Sequence, residues 1–225
     1  MELILDTANI EKIRHVLEYY PISGVTTNPT IISKEGKIDF FEHLRTIKGM
    51  LGPKRTLHVQ VISDNAETIL READVLREKL GDDIYIKTPV SKEGLKAIRL
   101  MANRKYNVTA TAIYTTMQGQ LAMMAGARYL ALYYNRMMNL DIDADKVFSE
   151  VADAILVGGY DCKIVGASFK SVMQLTNARA DGAHALTVPP DLLESALEHP
   201  SIAKAVSDFQ GDWAGIYGNR TLADL

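Results

Sequence analysis

The stretch Ile84-Tyr85-Ile86-Lys87-Thr88-Pro89-Val90-Ser91-Lys92-Glu93-Gly94-Leu95 decides how this chain folds. Ile84 to Lys87 is short and rich in β-branched and aromatic residues, the profile of a buried strand. Ser91 is a helix-capping residue type, and Leu95, Ile98 and Met101 then recur at helical spacing. Val108-Thr109-Ala110-Thr111-Ala112-Ile113 opens the next strand-like run. Strand, helix and strand in this compass imply parallel pairing through a helical crossover.

The same unit repeats in both directions. Upstream lie Leu3 to Asp6, Gly24 to Thr27 and Leu57 to Val61; downstream lie Tyr129 to Tyr134, Lys163 to Ala167 and Ala185 to Val188. Helical patterns separate them: Ile10 to Glu18, Asn65 to Leu80 with Ile69, Ala73, Leu76 and Leu80 on one face, Asp143 to Val157, and Pro189 to Leu197. Eight strand–helix units predict a closed (β/α)8 barrel, a TIM barrel, of α/β class. An open doubly wound sheet is the rival, but no Gly-x-Gly-x-x-Gly follows the first strand. No linker or composition shift divides residues 1–225, so one domain is expected, with 201–225 as a C-terminal helical extension. In that extension Ile202, Val206, Phe209 and Trp213 form a stripe. It packs either on its own barrel or on a neighbouring subunit.

Composition narrows the functional classes. The 225 residues are 47% hydrophobic and 24% charged, with a formal net charge of −3. No basic excess recommends a nucleic-acid or membrane-surface partner. The single cysteine, Cys162, allows no intrachain disulfide and suits a reducing cytoplasm. The N-terminus has no secretory pattern, and the most apolar region, Ile113 to Tyr134, is interrupted by Gln118, Gln120 and Arg128. The histidines His15, His43, His58, His184 and His199 show no metal-ligand spacing, so no metal site is expected.

A barrel of this kind works at the C-terminal ends of its strands. Asp6, Thr26-Thr27-Asn28, Gln60, Lys87, Thr111, Tyr133-Tyr134-Asn135-Arg136 and Ser168-Phe169-Lys170 are the polar residues at or near those ends. A lysine facing the interior is desolvated and keeps more free amine, the form that attacks a carbonyl to give a Schiff base. From spacing alone, Lys87 reads first as a lysine snorkelling to the rim with its ammonium in water. Asp6 has an ordinary reading as a cap for the following helix. Arg136, Ser168 and Lys170 together offer two cations and a hydroxyl, a phosphate cradle. His58 shares the inward face of its strand with Gln60 and either lines a deep pocket or packs in the core.

Six segments then carry a resemblance. Leu5-Asp6-Thr7-Ala8-Asn9, Gly24-Val25-Thr26-Thr27-Asn28-Pro29-Thr30, Ile86-Lys87-Thr88-Pro89-Val90, Gln118 with Ala125-Gly126-Ala127, Asn135-Arg136 and Ala167-Ser168-Phe169-Lys170 resemble the short transaldolase family over nearly the whole chain. The likeness is greatest to its fructose-6-phosphate aldolase branch, class I aldolases that work through a lysine Schiff base without metal or cofactor. The resemblance implies that Lys87 is the Schiff-base lysine and Asp6 a proton-handling carboxylate. It implies that Asn28 bonds the donor and that Gln60, Thr111 and Tyr133 hold a proton-shuttling water. Thr26 and Ala131 line the donor site, and Arg136, Ser168 and Lys170 take the phosphate. Gln60 and Tyr133, where transaldolases carry glutamate and phenylalanine, and Ala131, where they usually carry serine, point to an aldolase rather than a transaldolase. Leu132 and Thr109 depart from the family pattern. The implied reaction is cleavage of fructose 6-phosphate, and the implied assembly is a homo-oligomer, a ring-based decamer.

Overall fold

The computed structural model describes residues 1–225. Eight parallel strands close into a barrel in chain order: β1 (Glu2–Asp6), β2 (Gly24–Thr26), β3 (Thr56–Gln60), β4 (Tyr85–Pro89), β5 (Asn107–Ile113), β6 (Tyr129–Tyr133), β7 (Lys163–Ala167) and β8 (Ala185–Val188). The predicted (β/α)8 architecture is the one observed. The helices α1 (Ile10–Tyr19), α2 (Pro29–Ser33), α3 (Phe40–Leu51), α4 (Ala66–Leu80), α5 (Lys92–Asn103), α6 (Thr116–Met124), α7 (Tyr134–Met138), α8 (Ala144–Gly158), α9 (Val172–Ala180) and α10 (Pro190–Ser195) follow their strands, and α11 (Pro200–Tyr217) ends the chain.

Side-chain oxygens start most of the longer helices. Asn9, Asp39, Asn65, Ser91, Asp143 and Ser171 each accept a hydrogen bond from the backbone N–H three residues on. Thr115 and Gln118 form a reciprocal capping box at α6. Such a cap is worth about 1 kcal/mol. Asn9, not Asp6, caps α1, so the carboxylate of Asp6 is free for the barrel mouth.

The hydrophobic core lies outside the barrel. A cluster of 47 buried residues fills the layer between the strands and the helices, whereas only Ile4, Tyr129, Ala131, Val165 and Ala185 form an apolar cluster within it. The interior is instead polar, with Thr26, His58, Lys87, Thr109, Thr111 and Thr187 all buried. Burial of the outer layer therefore drives closure, and the inner positions are released for chemistry.

Two local features differ from a plain strand–helix reading. β6 ends at Tyr133, and Tyr134 already belongs to α7, which presents Arg136 to the mouth. β5 carries a bulge: Ala110 pairs with Leu130 and Ile113 with Leu132, so one extra residue is accommodated around Ala112, at φ 59°. The bulge keeps Thr111 inward and turns Ile113 into the outer core.

Close approach between backbones also fixes the end of β4. A Cβ on Gly94, in the first turn of α5, would stand 1.9 Å from the carbonyl oxygen of Pro89. That carbonyl belongs to the strand that carries Lys87 and cannot swing aside. Gly94→Ala is expected to lower stability by about 1–3 kcal/mol through overpacking. The check is a lower denaturant midpoint with an unchanged slope.

Candidate active site

Lys87 occupies the third position of β4 with its side chain inside the barrel, only 4% exposed. Its Nζ donates to the backbone carbonyl of Thr27 at 2.9 Å. Burial pushes its pKa below the ordinary lysine value, with the carboxylate of Asp6 acting in the opposite direction. The rim-snorkelling alternative is therefore overturned, because the amine is enclosed and not at the water boundary.

Asp6, at the end of β1, accepts a hydrogen bond from Thr26 Oγ1 at 2.8 Å. Burial raises its pKa, against the lowering influence of Lys87 and Thr26. Thr26 Oγ1 also lies 2.5 Å from Thr187 Oγ1, which ties β1, β2 and β8 together at the mouth. Asn28 uses its Oδ1 to cap α2, accepting from the N–H of Ile31 at 3.0 Å, and leaves its Nδ2 for another acceptor. Opposite, Tyr133 Oη and Thr111 Oγ1 are 3.0 Å apart. Burial raises the Tyr133 pKa, so the phenol keeps its proton.

These groups surround one cavity of about 230 Å³. Lys87, Asp6, Thr26, Asn28, Ala131, Tyr133, Arg136, Ser168 and Lys170 all line it. Thr111 reaches it through Tyr133. Gln60 does not join them: its Oε1 is buried without a partner, and the residue borders a separate apolar cavity of about 560 Å³ among α2, α3 and α4. The expected group of three is a Thr111–Tyr133 pair in this structure, with Gln60 beside Lys87 in the register. The larger cavity contains none of Lys87, Asp6 or Tyr133 and is the poorer candidate despite its size.

Cations gather where the cavity opens. The Arg136 guanidinium carbon sits 4.7 Å above the Tyr133 ring centre, and its Nη1 donates to Tyr114 Oη at 3.4 Å. Ser168 holds a φ of 64°, a strained value for a residue with a Cβ, and its carbonyl accepts from the Asn135 N–H at 3.1 Å. Lys34 lines the same opening and was not among the residues expected from sequence. Sequence reasoning also missed Thr187 and the Thr27 carbonyl. A strand-end search finds Thr187, but a lysine in the turn after a short helix and a backbone oxygen carry no such signal.

The arrangement is an enclosed amine, a carboxylate and a phenol around a cavity with a cationic mouth. A family model described as Transaldolase/Fructose-6-phosphate aldolase matches residues 3–218 of the chain. The chain belongs to that family. It is 49% identical, over 99% of its length and 100% of the relative's, to a protein named "Probable fructose-6-phosphate aldolase" from Streptococcus pneumoniae (strain ATCC 700669 / Spain 23F-1). No helix is long and apolar enough to cross a membrane.

A family member with an enclosed lysine has a cost that titration exposes. The folded pKa of Lys87 lies below its unfolded value of 10.5, so between the two the unfolded chain binds more protons. Stability from this group therefore rises with pH across that window and is lowest beneath it. Lys87→Met is expected to melt at a higher temperature than the wild type at neutral pH. Thermal scans at increasing pH should show that advantage shrinking as 10.5 is approached.

Proposed function

We propose that this protein is a class I aldolase that reversibly cleaves fructose 6-phosphate to dihydroxyacetone and glyceraldehyde 3-phosphate. The observation that carries the reading is the buried Lys87 amine in a cavity whose mouth is lined by Arg136, Lys170 and Lys34. A lowered lysine pKa supplies free amine for attack on the ketone carbon, and the cationic mouth suits the phosphate at the other end of the sugar. The 49% identical relative bears the corresponding name.

In this mechanism Lys87 Nζ adds to the second carbon of the sugar and water leaves, giving an iminium. The bond between the third and fourth carbons breaks as the fourth-carbon hydroxyl gives its proton to the Asp6 carboxylate. The electron pair of that bond moves into the iminium and forms an enamine, and glyceraldehyde 3-phosphate departs. Protonation of the enamine carbon, with the protonated Tyr133 phenol as donor, restores the iminium. Water then hydrolyses it to free dihydroxyacetone. Such positioned proton transfers are typically worth about 10²–10⁴ in rate. Asn28, with its Nδ2 unclaimed, bonds the donor; Gln60 orients water at the edge of the site once its Oε1 finds a partner. Lys87 itself supplies the electron sink, so the reading requires no cofactor.

The test combines products and trapping. Fructose 6-phosphate alone should yield free dihydroxyacetone, and borohydride with dihydroxyacetone should mark Lys87 covalently. Faster transfer to erythrose 4-phosphate than release would replace the aldolase by a transaldolase. Neither product nor adduct would leave a sugar-phosphate-binding barrel without catalysis.

We further propose a single-domain subunit that assembles with copies of itself, in the cytoplasm, for which one buried free cysteine is suited. Helix α11 has no buried residue, and Ile202, Val206, Phe209 and Ile216 are exposed along it. Trp213 stacks only on Tyr217 of the same helix, with centroids 4.5 Å apart. A stripe of this kind, unsatisfied on its own barrel, is suited to a neighbouring subunit, and the family resemblance points to a decamer. Truncation before Ser201 should lower the mass in solution measured by light scattering; an unchanged mass would remove α11 from the contact.

A further inference from the structure

Below Lys87 lies a buried histidine that the proposed chemistry does not use. His58 is fully buried, pairs with Tyr85 in the register and stacks on its ring at 4.6 Å. Its Nδ1 is 2.8 Å from Thr109 Oγ1, and its Nε2 is 2.9 Å from Thr56 Oγ1. Burial drives the ring pKa down to about 3, so it is neutral and has one N–H and one lone pair.

The partners determine which nitrogen carries the proton. Thr56 Oγ1 has an acceptor of its own, the Ser23 carbonyl at 3.4 Å, whereas Thr109 has none except His58 Nδ1. One arrangement satisfies every donor: Thr56 gives its proton to Ser23, His58 Nε2–H donates to Thr56, and Thr109 donates to Nδ1. In the opposite tautomer the Thr109 proton has no acceptor in the protein, the less favourable outcome for a buried hydroxyl. Thr109 is the register neighbour of Lys87 and lines the same cavity.

We propose that His58, by accepting a hydrogen bond from Thr109, leaves the Thr109 hydroxyl purely a hydrogen-bond acceptor toward the cavity, and that Thr109 thereby selects substrates with a hydroxyl on the first carbon. The inference rests on the aldolase reading above. With phosphate at the cationic mouth and the second carbon at Lys87 Nζ, the chain between them runs outward. The first carbon must then point the other way, toward the wall formed by Thr109, Ala131 and Val165. Ala131 and Val165 offer it no hydrogen bond. Thr26 and Thr187 are engaged with each other, and Thr26 with Asp6. A first-carbon hydroxyl donates to Thr109; a methyl group leaves that acceptor buried and unpaired, the situation in which such sites discriminate most strongly.

The experiment compares cleavage of fructose 6-phosphate with that of its 1-deoxy analogue. Thr109→Val should lower kcat/KM for fructose 6-phosphate about ten-fold while leaving that for the analogue within about two-fold, the loss expected for one buried hydrogen bond. Thr109→Ser, which keeps the hydroxyl, should restore the preference. His58→Phe, which keeps the stacking but frees the Thr109 proton, should erode it in the same direction. Thermal midpoints of the four proteins separate this effect from loss of folding. Equal losses on both substrates, or a preference abolished by Thr187→Val and not by Thr109→Val, would overturn the inference and leave the aldolase standing. A wild type that cleaves neither compound would remove both.

Discussion

A free amine inside a protein is costly, because its charged form loses water that low-dielectric surroundings do not replace. The structure accommodates this cost at Lys87 by placing stability elsewhere. The outer layer of buried aliphatic residues between strands and helices closes the barrel, so the interior need not be apolar. Thr26, Thr109, Thr111 and Thr187 are buried there with hydrogen-bond partners, and the lysine itself donates to Thr27 O. Burial that makes the lysine costly in the folded state also favours its uncharged form.

The surrounding electrostatics follow from that placement. Asp6 lines the same cavity as the amine; burial raises its pKa and lowers that of Lys87, while the charge of each opposes the shift of the other. Tyr133 keeps its proton, and Thr111 fixes the phenol in place through the β5 bulge. The chain as a whole is mildly acidic, at −3, so the positive charge at the cavity mouth is local and comes from Arg136, Lys170 and Lys34.

Much of this was legible in the linear chain. Short runs of β-branched and aromatic residues separated by capped helical segments specify alternating strands and helices, and strand ends in such a barrel specify a mouth. That rule picked out Lys87, Asp6, Arg136 and Ser168 as candidates, and the family resemblance gave them their expected roles. What escaped it came from elements that the rule does not see. Lys34 follows a short helix, and Thr27 contributes a backbone oxygen. Gln60 satisfied the rule, yet its Oε1 is buried without a partner and the residue borders the other cavity, apart from Thr111 and Tyr133.

Whether Lys87 was a rim ammonium or an enclosed amine could not be read from spacing, because both place it on the same face of the same strand. Depth within the barrel, the Thr27 carbonyl and the opposing Asp6 decided it, and all depend on how β1, β2 and β4 close against one another. The same holds for His58, whose role depends on hydroxyls from its own strand and from β5. By itself the sequence determined the element order, the closed parallel barrel and the residue types at its mouth, since these follow from local periodicity and capping. Tertiary structure alone decided protonation, hydrogen-bond direction and which residues share a cavity, since these depend on burial and distance between segments far apart in the chain.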